Sequence, residues 1–190
     1  MIQKKSTKQL LADSIVELMQ KKKLDDITVA DIVANCGLSR RTFYNNFEDK
    51  YALIDWIYEN EAVGYLQFIG EDCSWHSAIL NKLNIILNNP KFYSKVYRQS
   101  YFLKSFYKIT KDLHIAIIKK HREIDDELEF LIDFYCIGCV SRTAMWIEGG
   151  FKETPDEMVS AYIECLPDKL KSLFRFDEKI THEERFAAGR

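Results

Sequence analysis

Turn-forming residues are scarce in this chain: three Pro and seven Gly in 190 positions. Sheet-rich and loop-rich folds use such residues at every reversal, so the shortage favours long helices. Cysteine is sparse and odd in number, with thiols at positions 36, 73, 136, 139 and 165 set in apolar patterns. That excludes a disulfide-stapled framework and suits reduced thiols used as small hydrophobes. No uninterrupted apolar run approaches the roughly 18 residues that span a bilayer, and the first eight residues are polar with no apolar stretch behind them. A cytoplasmic protein without a membrane partner is expected. The sequence also lacks a Gly-rich phosphate loop, a nucleophile elbow and a His-Glu-x-x-His pair, which leaves an enzyme reading without residues to stand on. No cofactor or metal is implied.

The composition that remains is globular, 47% hydrophobic and 29% charged, with a net charge of −2. That charge is split, +2 over residues 1–50 and −4 beyond, a bias too small to argue for a nucleic-acid partner without motifs. Apolar residues recur at helical spacing almost throughout, and no strand alternation persists, so the expected fold is all-α with about nine helices. Helices are expected over about 7–21, from Thr28 to Cys36, from Ser39 onward, from Asp49 through Tyr65, and over 74–87, 90–99, 100–121 and 125–147. The last opens at Thr154, whose Thr-Pro-Asp-Glu start combines a cap, a Pro in the first turn and a capping box.

The first 50 residues hold the chemistry. Thr28 caps a short helix with Val29, Ile32, Val33 and Cys36 inward; Gly37 stops it, and Ser39 caps the next after a turn of three or four residues. In that second helix Phe43 and Phe47 fix the buried side, leaving Arg40, Arg41, Tyr44 and Asn45 largely outward, a helix-turn-helix arrangement. Arg40 and Arg41 oppose the helix dipole at a cost of about 0.3 to 1 kcal/mol each, so a local rule is broken. A solubilising surface is one explanation. The other is contact with phosphates and guanine edges, which the hydroxyls and amides of Thr42, Tyr44, Asn45 and Asn46 in the same segment would extend.

The run T-V-A-D-I-V-A-N-C-G-L-S-R-R-T-F-Y-N-N-F-E-D-K, residues 28–50, resembles the N-terminal signature of the tetracycline-repressor (TetR) family of bacterial transcription regulators. The resemblance covers about residues 7–58 and is weaker beyond, where helix order, Trp-Ile-Glu-Gly-Gly at 146–150 and the Thr154 helix start share it. It implies that Thr28, Thr42, Tyr44, Asn46 and Lys50 approach phosphates while Arg40, Arg41 and Asn45, behind the Ser39 cap, lie near base edges. Arg41 stands where the family usually has a small residue or Pro, and Asn46 where His or Tyr is common.

The expected organisation is a DNA-binding module at 1–48, a ligand-binding and dimerisation body at 49–177, and a polar tail at 178–190. Twenty-two of the 25 aromatic residues follow residue 50. Such a set either fills a core or lines a ligand cavity. Candidate cavity residues are Tyr97, Tyr101, Phe106, His114, Phe134, Arg142 and Trp146, with His114 and Arg142 as the polar contacts. Cys136-x-x-Cys139 lies mid-helix without a second pair, so packing rather than metal binding is expected. The helix at 125–147 carries two apolar stripes and needs cover on two sides, which points to a homodimer. The reading is a regulator of double-stranded operator DNA, a repressor by default, controlled by a small effector; the alternative is an activator or adaptor whose body binds a protein.

Overall fold

The computed structural model describes residues 5–69, 73–120 and 122–171; the expected tail at 178–190 lies outside them. Ten α-helices and no strand occur among the described residues. The first three are α1 (Thr7–Lys21), α2 (Val29–Asn35) and α3 (Arg40–Tyr44). They pack round Leu11, Ile15, Met19, Ile32, Phe43 and Phe47, all buried. The Ser14 hydroxyl ties α1 to α2 by donating to the Ile32 carbonyl at 2.7 Å, which gives a polar side chain inside the apolar stripe its partner.

The helix expected from Asp49 through Tyr65 is shorter. Asp49 caps it by accepting from the amides of Tyr51 and Ala52, but α4 (Lys50–Ile57) then loosens into a π turn, Tyr58–Ala62, and a 3-10 turn, Gly64–Phe68. The change of winding keeps Tyr58, Ala62, Val63 and Leu66 buried and leaves Tyr65 exposed. Regular α-winding of 3.6 residues per turn would instead turn Tyr65 to the same face as Tyr58, Ala62 and Leu66.

The body consists of α5 (Trp75–Asn88), α6 (Pro90–Tyr97), α7 (Ser100–Lys119), α8 (Asp126–Glu148), α9 (Pro155–Glu164) and a short α10 (Asp168–Lys171) beyond Pro167, one helix more than expected. The Thr154 capping box is present. At the end of α8, Gly150 takes φ +80° and Phe151 φ +59°, and the Phe151 ring packs edge-on against Trp146, which holds an otherwise unfavourable backbone in place. By length and composition α8 could cross a membrane; about half of that stretch is buried within this fold. The module meets the rest of the chain where α1 packs on α6 and on α4, and α4 in turn meets α7 through Tyr51 on Phe102.

Candidate nucleic-acid interface

The reversal between α2 and α3 is built by a few local bonds. The Thr28 hydroxyl accepts from the Asp31 amide while the Asp31 carboxylate accepts from the Thr28 amide and hydroxyl, at 2.8 and 2.6 Å. Those bonds, with Lys22 adding a third at 3.2 Å, pull the Asp31 pKa down to about 2. The Thr28 hydroxyl is thus committed to the cap; it remains exposed and can still meet a phosphate. Gly37 adopts φ +69°, the left-handed conformation that ends α2, and the Leu38 amide donates back to the Val33 carbonyl. Ser39 then caps α3 by accepting from the Thr42 amide at 3.0 Å, and its hydroxyl lies 2.8 Å from that of Thr42.

Burial of Phe43 orients the whole of α3. Its ring packs on Phe47, which in turn meets Trp56, and Lys8 lies over both the Phe47 and Trp56 rings. Arg40, Arg41, Tyr44 and Asn45 are left exposed on the opposite side. No carboxylate among the described residues pairs with either Arg. Asn46 is half-buried and donates its amide to the Thr42 carbonyl at 2.8 Å, so it closes the end of α3.

Lys50 is placed differently from what the resemblance implies. Its ammonium donates to the carbonyls of Leu24, Ile27 and Asp25 at 2.7, 2.8 and 3.4 Å, which uses all three N–H groups on the loop between α1 and α2. A phosphate could reach it only in place of one of those carbonyls. A second lysine holds the same region from the body: Lys95 of α6 donates to the carbonyls of Met19 and Lys22 at the end of α1. Sequence reasoning passed over Lys95, because nothing local links a surface-looking lysine to carbonyls more than 70 residues away.

The residues expected to line one cavity in the body are not brought together. Phe106 is buried with its ring stacked on Tyr58 at 3.7 Å, and Tyr97 is buried beside it. Tyr101 is exposed and donates to Asp55. His114 is buried, with its Nδ1 bonded to the Thr110 carbonyl. Trp146 donates to the Glu153 carbonyl, and Arg142 forms an ion pair with the Glu153 carboxylate. Phe134 and Arg142 instead border an outer groove of about 340 Å³ between α8 and α9, with Gly138, Ala161 and Cys165. Periodicity predicts that a residue is buried, but not which side chains it meets there. Cys136 and Cys139 pack with their thiols held protonated by burial, Cys139 up at about 11.

The chain matches two family profiles, "Bacterial regulatory proteins, tetR family" over residues 11–56 and "Transcriptional regulator C-terminal region" over residues 74–166. It belongs to the TetR family of transcriptional regulators. A curated relative, the HTH-type dhaKLM operon transcriptional activator DhaS of Lactococcus lactis subsp. lactis (strain IL1403), is 31% identical over 91 residues, and this match spans about half the length of either protein, 48% of this chain and 49% of the relative. Among solved structures the fold is similar to "Dihydroxyacetone kinase operon activator DhaS", with a TM-score of 0.63 and 24% identity, covering 89% of this chain and 98% of that one. A TetR transcriptional regulator from Streptococcus agalactiae 2603V follows at a TM-score of 0.58 and 20% identity, covering 89% and 94%. The solved structures bear out the all-α fold, and the family profiles with the curated relative bear out the helix-turn-helix regulator expected from the sequence.

Proposed function

We propose that this TetR-family regulator binds operator DNA as a homodimer, with α3 of each protomer in the major groove and the body from about residue 49 carrying dimerisation and effector control. The observation that carries the reading is the exposed, unpaired Arg40 and Arg41 on the face opposite the buried Phe43. A guanidinium so placed can make two hydrogen bonds to one guanine, and the hydroxyls of Thr28, Thr42 and Tyr44 surround it with phosphate-binding groups. Repression by occupancy of a promoter is the first reading of its sign. Activation is the second, favoured because the Lactococcus relative is named an activator.

The test is binding to the intergenic DNA flanking its own gene, followed by fluorescence anisotropy at fixed salt. Arg40→Ala or Arg41→Ala is expected to weaken the specific site by about 1 to 3 kcal/mol, and Tyr44→Phe to weaken all sequences alike. Affinities unchanged in all three variants would remove α3 from the interface. A reporter driven by the bound promoter fixes the sign: deletion of the regulator raises expression under repression and lowers it under activation.

A further inference from the structure

Residues 73–111 hold seven Lys or Arg and no Asp or Glu, in a chain whose net charge is −2. Three of those cations, Lys91, Lys95 and Arg98, stand four and then three residues apart on α6 and so share one face of that helix. Lys95 fixes where the face lies. Its ammonium donates to the carbonyls of Met19 and Lys22, which lays the face on the end of α1 beside the exposed Lys21, Lys22 and Lys23. Lys22 is paired with Asp31, and Lys95 is spent on its carbonyls. Lys21, Lys23, Lys91 and Arg98 are exposed, and no side chain among the described residues pairs with any of them. The acids of the adjoining loop and helix, Asp25, Asp26 and the engaged Asp31, are three against six cations. Like charges gathered on both sides of a joint repel, and a polyanion laid across them relieves the repulsion.

This seam adjoins a group already expected at a phosphate. The Asp31 carboxylate accepts from the Thr28 amide at 2.8 Å and from the Lys22 ammonium at 3.2 Å, and the Lys22 carbonyl lies 2.9 Å from the Lys95 ammonium. Two side chains, those of Asp31 and Lys22, thus link the start of α2 to α6. We propose that the seam between α1 and α6, with Lys91 and Arg98 at its edges, is a second phosphate-binding surface that holds duplex DNA outside the half-site read by α3. The proposal rests on the reading of α3 as the recognition helix, and it gives the body a direct part in holding the operator. DNA rather than an acidic protein is the occupant because the seam continues the surface at Thr28. A duplex carries one negative charge per roughly 1.7 Å of its axis, so a strand held at Thr28 brings further phosphates with it.

Fluorescence anisotropy of the full chain tests this on two duplexes cut from the intergenic DNA flanking its own gene: the shortest footprinted segment, and the same segment with about one helical turn more on each side. The wild type is expected to bind the longer duplex roughly tenfold more tightly at about 0.1 M salt, with a slope of log K against log salt steeper by about 0.9 for each flanking phosphate engaged. The double variant Lys91→Gln, Arg98→Gln is expected to lose most of that gain while binding the shorter duplex as the wild type does. Lys119→Gln, an exposed substitution at the far end of α7, keeps the gain. An unchanged Tm shows that the double variant is folded; if it is not, the two single variants are read in its place. No gain in the wild type, a gain retained by the double variant, or an equal loss on both duplexes would overturn the surface. A double variant that binds both duplexes normally but no longer alters expression from the reporter also overturns it, and gives the face to an acidic protein. Failure of the wild type on even the shorter duplex is a separate result, which removes the recognition reading and the flank with it.

Discussion

Single side chains here do their work mostly by where burial puts them, and His114 gives the clearest consequence. Burial strips water from its imidazolium, the nearby Lys82 charge opposes protonation further, and the Thr110 carbonyl only partly compensates; the pKa falls to about 4 from an ordinary 6.5. The folded state therefore keeps His114 neutral while the unfolded chain takes up a proton below about 6.5. Its stabilising contribution is full above pH 6.5 and is lost as the pH falls from there to about 4, a change on the order of 2 to 3 kcal/mol. Tm measured across that window is expected to fall in the wild type and to fall less steeply in His114→Gln; parallel slopes would remove His114 as the cause. The caps at Thr28, Ser39, Asp49 and Thr154 were all legible in the sequence, since each acts on amides two or three residues away. The role of Lys50 was not. A lysine's partner, or its lack of one, is decided by the meeting of distant segments.

The loop between α1 and α2 is an element whose order depends on the two lysines that clasp it. Its carbonyls face Lys50 from α4 and Lys95 from α6, and charged donors to such groups contribute about 1.5 to 3 kcal/mol each. Lys50→Met is expected to destabilise the module by an amount in that range, read as a lower midpoint in urea. Lys95→Met removes a bond between module and body instead. It is expected to leave the body's helicity intact while weakening operator binding, because the recognition helix loses one of the contacts that fix its angle; unchanged affinity would make the contact merely structural. Element boundaries followed the same division between local and distant causes. The starts of α4 and α9 could be read from capping residues, but the π turn at Tyr58–Ala62 could not. That loosening answers the ring of Phe106, stacked on Tyr58, and the hydroxyl of Thr110, both on α7.

At the scale of the whole molecule the unsatisfied feature is the outer face of α8. Of the inner stripe expected from the sequence, Leu128, Ile132 and Tyr135 are buried and Leu131 and Cys139 half-buried, and Cys136 and Val140 are buried beside them. The second stripe is bare: Phe130 is 67% exposed, Phe134 71%, Ile137 47% and Met145 61%, with the Phe130 and Phe134 rings stacked on one another. Gly138 and Ser141 lie on the exposed side of the same helix and permit close approach, and a Cβ added at Gly138 would meet nothing within 4 Å in the single chain. An apolar face of this kind is ordinarily a contact surface. A second copy of α8 and α9 would cover it in a four-helix interface under two-fold symmetry, and that symmetry places two α3 helices on one side of the duplex. An inverted repeat follows, with half-site centres about one helical turn, roughly 34–36 Å, or a multiple of it apart. Ile137→Asp puts a charge in the middle of the interface, where association would strip it of water. Sedimentation is expected to show a dimer for the wild type and a monomer for the variant, with operator binding lost in the variant because one α3 no longer carries its partner to the second half-site. A wild-type chain that sediments as a folded monomer at micromolar concentration would leave the stripe without its partner and the inverted repeat without its cause.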